Sequence, residues 1–365
     1  MTTRVWAGRS LELLKPRRWS EKRPKFSMFL QKLSKKFINA FVTLLIIVIG
    51  IVIVILSFGV RVPLIHLPFG TNQTAQAAVV KPKVVIAPQQ AVTTCSDSQA
   101  DTLYTMCPTF SADYTNQQSG SINSNDFNVY TGAPVSNHED EYYTDNAANI
   151  RVQDGALILE GQNQEDQGYD FTSAHVDTHG KEDFLYGKIV IRAQLPSGIG
   201  TWPAIWLLPS QPKYASLSPA SDPDRYLNDG EIDVAEAVGT QPNIVYGVAH
   251  SLAYPENGTN RSYYSTIDLP TEYTAYQDYE VDWTPTSLTF SVNGQPYFTY
   301  KKVPGAGYQS WPFNQPFYLV MNLALGGTWA GSDTKQFPGN GIDKSALPAS
   351  MKIQSVNYYS YTGPQ

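Results

Sequence analysis

"LTFSVNGQPYFTY", residues 288–300, is two short runs of aliphatic, aromatic and hydroxyl residues joined at Asn293-Gly294. Asn-Gly accepts the left-handed backbone that both central positions of a tight hairpin turn require, so the stretch predicts two antiparallel strands. The same texture extends in both directions. "GKIVIRAQL" (187–195) alternates apolar with polar or charged residues, the pattern of a strand with one buried face. "FYLVMNLAL" (317–325) and "KIQSVNYYSY" (352–361) predict further strands, and Gly, Pro, Asn and Asp clusters separate the runs. No sustained helical period or internal repeat interrupts them. Many short strands with closely spaced turns predict an all-β fold, an antiparallel sandwich of two sheets, over residues 108–365.

The N-terminal third is different. Residues 1–36 hold eleven Lys or Arg against Glu12 and Glu21, and residues 37–60 carry no charge. A run of that length is sufficient to cross a bilayer as a helix, and its basic flank predicts a cytoplasmic N-terminus with the remainder outside. "AQA" at 75–77 has the small-residue pattern of a cleavage site but lies well beyond the apolar run, so an uncleaved signal-anchor is expected. Residues 61–107 then read as an extracellular stalk, with Cys95 and Cys107 placed to pair in an oxidising compartment. Asn72, Asn257 and Asn260 stand in glycosylation sequons. From residue 37 onward 15 basic residues face 30 acidic ones. Such a surface repels phosphate backbones, so nucleic acid is not an expected partner; a monomer tethered to the membrane is.

"GEIDVAEAVG" (230–239) sets Glu231, Asp233 and Glu236 among small and apolar residues. On a helix Glu231 and Asp233 point apart, and on a regular strand Glu236 falls on the opposite face from the other two. One extra residue, a β-bulge, aligns all three, and Ala235 is the expected extra residue. Glycoside hydrolysis needs two carboxylates about the anomeric carbon, one protonated and one ionised, and a third acid can tune a neighbour. A divalent cation site is the alternative for such a cluster. Upstream of it the chain offers "GTWPAIWLLP" (200–209), where Trp202 and Trp206, four apart, share a face of a strand; indoles there either fill a core or stack on sugar rings.

At this point the sequence resembles glycoside hydrolase family 16, in its laminarinase-like branch with a Glu-x-Asp-x-x-Glu signature. "NHEDEYYT" (137–144), "GKIVIRAQLPSGIGTWPAIWLLP" (187–209), "EIDVAE" (231–236), "VYGVAHS" (245–251), "VDWTP" (281–285), "VNGQPY" (292–297), "PFYLVMNLALGG" (316–327) and the terminal "NYYSY" carry the resemblance, in that order. It implies a jelly-roll, concanavalin A-like sandwich and a retaining endo-β-glucanase acting on β-1,3- or mixed β-1,3/1,4-glucan. Carried over, Glu231 is the nucleophile, Asp233 its helper and Glu236 the acid/base. Trp202 and Trp206 become stacking platforms, His250 lies near the cleaved bond, and Asn137, Glu139 and Asn322 bind sugar hydroxyls. No cofactor is required, and the family leaves room for a structural calcium. One departure is His175, in "FTSAHVDTHG", where the family commonly has Arg; with His179 it is too sparse for a metal site. Transglycosylation of wall β-glycans and a non-catalytic glucan-binding adhesion module remain as alternatives.

Overall fold

The computed structural model describes residues 103–134, 136–222, 225–253, 262–270, 272–331 and 341–364. The apolar run 37–60, the stalk up to residue 102, Cys95 and the three sequons lie outside the described residues. Among the described residues no helix is long and apolar enough to cross a membrane. Cys107 is disulfide-bonded.

The strands are β1 (Phe110–Asp113), β2 (Ser119–Gly120), β3 (Asn128–Val129), β4 (Glu141–Tyr143), β5 (Ile150–Gln153) and β6 (Ala156–Gly161). They continue as β7 (Phe171–Ser173), β8 (His175–Asp177), β9 (Gly187–Gln194), β10 (Thr201–Pro209), β11 (Glu231–Ala237) and β12 (Ile244–His250). The last six are β13 (Ser262–Asp268), β14 (Gln277–Thr284), β15 (Ser287–Val292), β16 (Gln295–Lys301), β17 (Phe317–Leu325) and β18 (Ala349–Ser360). A single four-residue helix, α1 (Gly327–Ala330), and three short 3₁₀ turns are the helical content of the described residues.

Two antiparallel sheets form the sandwich. The larger runs β16-β15-β14-β9-β18-β6-β5-β2, with β1 also paired to β18; the smaller runs β13-β12-β11-β10-β17-β8-β3. A short pair, β4 with β7, is parallel. The expected hairpin is β15–β16, and Asn293 (φ 52°) and Gly294 (φ 72°) both adopt the left-handed backbone of its turn. Along β9, buried Ile189, Ile191 and Ala193 alternate with half-buried Lys188, Val190 and Arg192, as the sequence pattern requires. Those inward residues join Tyr279, Val281, Trp283 and Phe290 of the larger sheet to Ile205, Leu207, Phe317, Leu319 and Met321 of the smaller in one core. Each such side chain contributes roughly 1.5–3 kcal/mol by burial, so the core holds the smaller sheet's other face rigid. That other face carries the acids.

Candidate active site

β11 is bulged, and the bulge decides which way its acids point. Against β12, Asp233 pairs with Val248 and Glu236 with Tyr246, so Val234 and Ala235 together oppose Gly247. Against β10, Ala235 pairs with Ile205 and Asp233 with Trp206, which leaves Val234 without a counterpart. Val234, not the expected Ala235, is therefore the extra residue on that side; the neighbouring strand's register selects it, and side-chain size does not. Ile232, Val234, Ala235 and Ala237 all enter the core. Glu231, Asp233 and Glu236 consequently emerge together on the opposite face. Gly247 suits its place across from the bulge, because a Cβ there would sit 2.4 Å from the Tyr297 hydroxyl and 3.0 Å from the Phe290 ring.

The three acids sit in a shared low-dielectric site. Burial, reinforced for Glu231 and Glu236 by the charge on Asp233, pushes each of the three carboxyls up to about 8. Three negative charges so close are costly, and the cluster retains protons at neutral pH. Glu231 and Asp233 hydrogen-bond to each other and titrate as a pair. His250, from the end of β12, places Nε2 2.9 Å from Asp233 Oδ2 and 3.7 Å from Glu231 Oε1. Its Nδ1 lies 2.9 Å from Ser262 Oγ on β13, which sets the ring's orientation. Glu236 Oε1 accepts the Trp202 indole N–H at 2.9 Å, a bond that favours its ionised form.

The remaining sequence-derived residues divide into those at the surface of the site and those beneath it. Trp202 and Trp206 share the acid-bearing face of β10, half-buried. Asn137 is exposed, in a left-handed conformation (φ 59°), and its Nδ2 donates to Glu139 Oε1 at 3.1 Å. Asn322 is different. It is buried, its Oδ1 accepts the Trp206 indole N–H at 2.8 Å, and its Nδ2 donates to the Tyr143 hydroxyl at 3.0 Å. Both ends of the amide are engaged by protein, so Asn322 holds Trp206 in place.

His175 sits opposite Asn322 in the β8–β17 register, with its ring 5.2 Å from Tyr130 and 5.4 Å from Tyr143. Burial lowers it to about 4, so it stands as a neutral ring where the resemblance led one to expect a guanidinium. His179 lies apart from it, its ring 4.5 Å from Tyr318. Among the described residues one group of three could hold a metal ion, Glu231, Asp233 and His250, with donor atoms within 4.8 Å of one another. That group is the acid cluster itself, with His250 Nε2 beside Asp233 Oδ2.

Sequence reasoning missed an aromatic wall. Trp329 of α1 meets Trp202 edge-to-face at 5.2 Å and Tyr246 at 5.0 Å, and both rings stand beside the Glu236 end of the cluster. The signal was "GGTWAG" (326–331), directly after a strand already assigned to the site.

The chain matches the sequence model described as glycosyl hydrolases family 16 over residues 123–344. It is 39% identical over 231 residues to a beta-glucanase of Rhodothermus marinus, an alignment spanning 62% of this chain and 75% of that protein. It is 32% identical over 238 residues to glucan endo-1,3-beta-glucosidase A1 of Niallia circulans, spanning 61% of this chain and 32% of that protein. Among solved structures, the laminarinase from Rhodothermus marinus superposes with a TM-score of 0.62 at 35% identity, covering 70% of this chain and 98% of that one.

Proposed function

Because the chain belongs to glycosyl hydrolases family 16, we propose that it is a retaining endo-β-glucanase that cleaves β-1,3- or mixed β-1,3/1,4-glucan in an open cleft. The activities that the similar proteins are named for support the substrate class. One observation carries the reading: the bulge at Val234 brings Glu231, Asp233 and Glu236 onto one face, beside two half-buried tryptophans.

The chemistry follows from the contacts. In its ionised form Glu231 attacks the anomeric carbon, while protonated Glu236 gives its proton to the departing glycosidic oxygen. Burial keeps Glu236 protonated near neutral pH, as a general acid requires. The glycosyl-enzyme ester is then opened by water, whose proton Glu236 takes back. Asp233 and His250 hold the nucleophile's charge and orientation through their 2.9 Å contact. The apolar run 37–60 would anchor this domain at the outer face of a membrane.

Release of reducing ends from laminarin and lichenan, with the anomer formed first read by proton NMR, tests the proposal. The β-anomer should appear first, and Glu231→Gln should cut turnover by about 10⁴-fold or more without loss of folding. First appearance of the α-anomer, or normal turnover by Glu231→Gln, would reject the mechanism.

A further inference from the structure

The mechanism uses none of the polar groups that lie beneath the two tryptophans, and these converge on Glu141 of β4, which is fully buried. Its Oε2 accepts the Leu325 N–H at 2.8 Å, where β17 ends and the chain turns toward α1. The segment preceding β4 is stitched to the same turn. Asp140 N donates to Leu325 O and Thr328 N to Asn137 O, each at 2.9 Å, and Glu139 bridges to Gly326. This turn delivers Trp329 against Trp202. On its other side Glu141 neighbours Tyr143. The Tyr143 hydroxyl bonds Asn322, and Asn322 bonds Trp206. One carboxyl therefore stands behind both tryptophans of the cleft.

We propose that Glu141, as a neutral carboxylic acid, is a positioning residue for glucan: it anchors the Leu325–Trp329 turn and the Tyr143–Asn322 link, and so fixes Trp202 and Trp206 as one platform. The inference rests on the glucanase reading for its substrate. Glu139 and Tyr143, on its own segment, are the titratable groups that face it. The adjacent strand β7 offers Phe171, Thr172 and Ser173, and β17 offers Asn322 and the Leu325 amide, so no cation stands ready among these groups to pair with an ionised Glu141. Burial, then the charge on Glu139, hold Glu141 up to about 8. Ionisation above that range places an unpaired charge under the platform and loosens the turn, which weakens binding more than chemistry.

The test compares full-length wild type, Glu141→Gln and Glu141→Ala. Their kcat and KM on laminari-oligosaccharides are followed from pH 5.5 to 9.5, and the Trp206 indole N–H NMR signal, assigned with Trp206→Phe, is titrated without substrate. At pH 6, Glu141→Ala should raise KM about tenfold with kcat within about twofold of wild type, and the amide of Glu141→Gln should restore KM. In wild type, KM should rise several-fold as pH passes about 8 and the indole signal should move with it; Glu141→Gln should lack both changes. A wild-type KM in Glu141→Ala, or a full alkaline KM rise and indole shift in Glu141→Gln, would overturn the proposal. If Glu141→Ala does not fold, wild type against Glu141→Gln decides. The indole titration needs no turnover: a Gln-sensitive transition in a chain that hydrolyses no β-glucan would sink the activity while leaving the anchor in place.

Discussion

Trp202→Phe should move the alkaline limb of the activity profile upward. The Trp202 indole N–H donates to Glu236 Oε1 at 2.9 Å, and it touches no other member of the acid trio through a hydrogen bond. Burial and the charge on Asp233 push Glu236 up to about 8, and the indole opposes them by favouring the anion. A hydrogen bond to a charged group contributes on the order of 1.5–3 kcal/mol, and about 1.4 kcal/mol corresponds to one pH unit. Trp202 is half-buried, so water replaces part of the lost bond and the lower end of that range applies. The sign is fixed by the role. A general acid works while protonated, activity is lost as pH rises through its pKa, and removing a donor to its anion raises that pKa. The limb of kcat/KM on laminarin should therefore shift from about 8 to about 9. Phenylalanine keeps a ring at the site, so weaker stacking lowers the profile's height and leaves its position as a separate readout. An alkaline limb that stays put or moves downward in a folded Trp202→Phe would refute the assignment of Glu236 as the acid held by that indole.

Two further outcomes follow from the same geometry. Deleting Val234 turns "EIDVAE" into "EIDAE", which keeps three acids on one face of a regular strand but removes a buried core side chain and the local bend; kcat should fall about 100-fold for each 1 Å of misplacement of Glu236, whereas Val234→Ala should retain most of it, and equal losses would show that the bulge does not align the acids. Thermal stability should decline from pH 5 to pH 9, because Glu141, Glu231, Asp233 and Glu236 keep protons up to about 8 in the fold that their unfolded forms release near 4 to 4.5; calorimetry should record a fall of roughly 5–10 °C, and a rising Tm over that window would contradict the burial argument.

What could be read in advance depended on whether a residue's role is set locally. The β15–β16 hairpin was legible because Asn293 and Gly294 alone satisfy its turn. The alternation of "GKIVIRAQL" was legible because a two-sheet core buries one face only. The bulge itself could be inferred, since no regular element aligns acids spaced as in "EIDVAE". Its extra residue could not, because Val234 is singled out by the register of β10. Asn322 and His175 show the same limit. Each is polar and lies on a strand of the cleft sheet, yet Asn322 is spent on Trp206 and Tyr143, and His175 is packed as a neutral ring. Trp329 escaped notice because a four-residue helix has no period to recognise. Glu141 follows Glu139 and Asp140 directly and was not singled out in the sequence, because only the fold buries it in β4.

The account's central claim is that Glu231, delivered by the bulged strand, forms the covalent bond to the sugar. An activated 2-fluoro laminaribioside, which forms the ester readily and loses it slowly, can be incubated with the full chain and the labelled peptide located by mass spectrometry. The account predicts one sugar per chain, attached at Glu231. Attachment at Asp233, Glu236 or any other residue, or turnover of the compound with no adduct and inverted product, would contradict it.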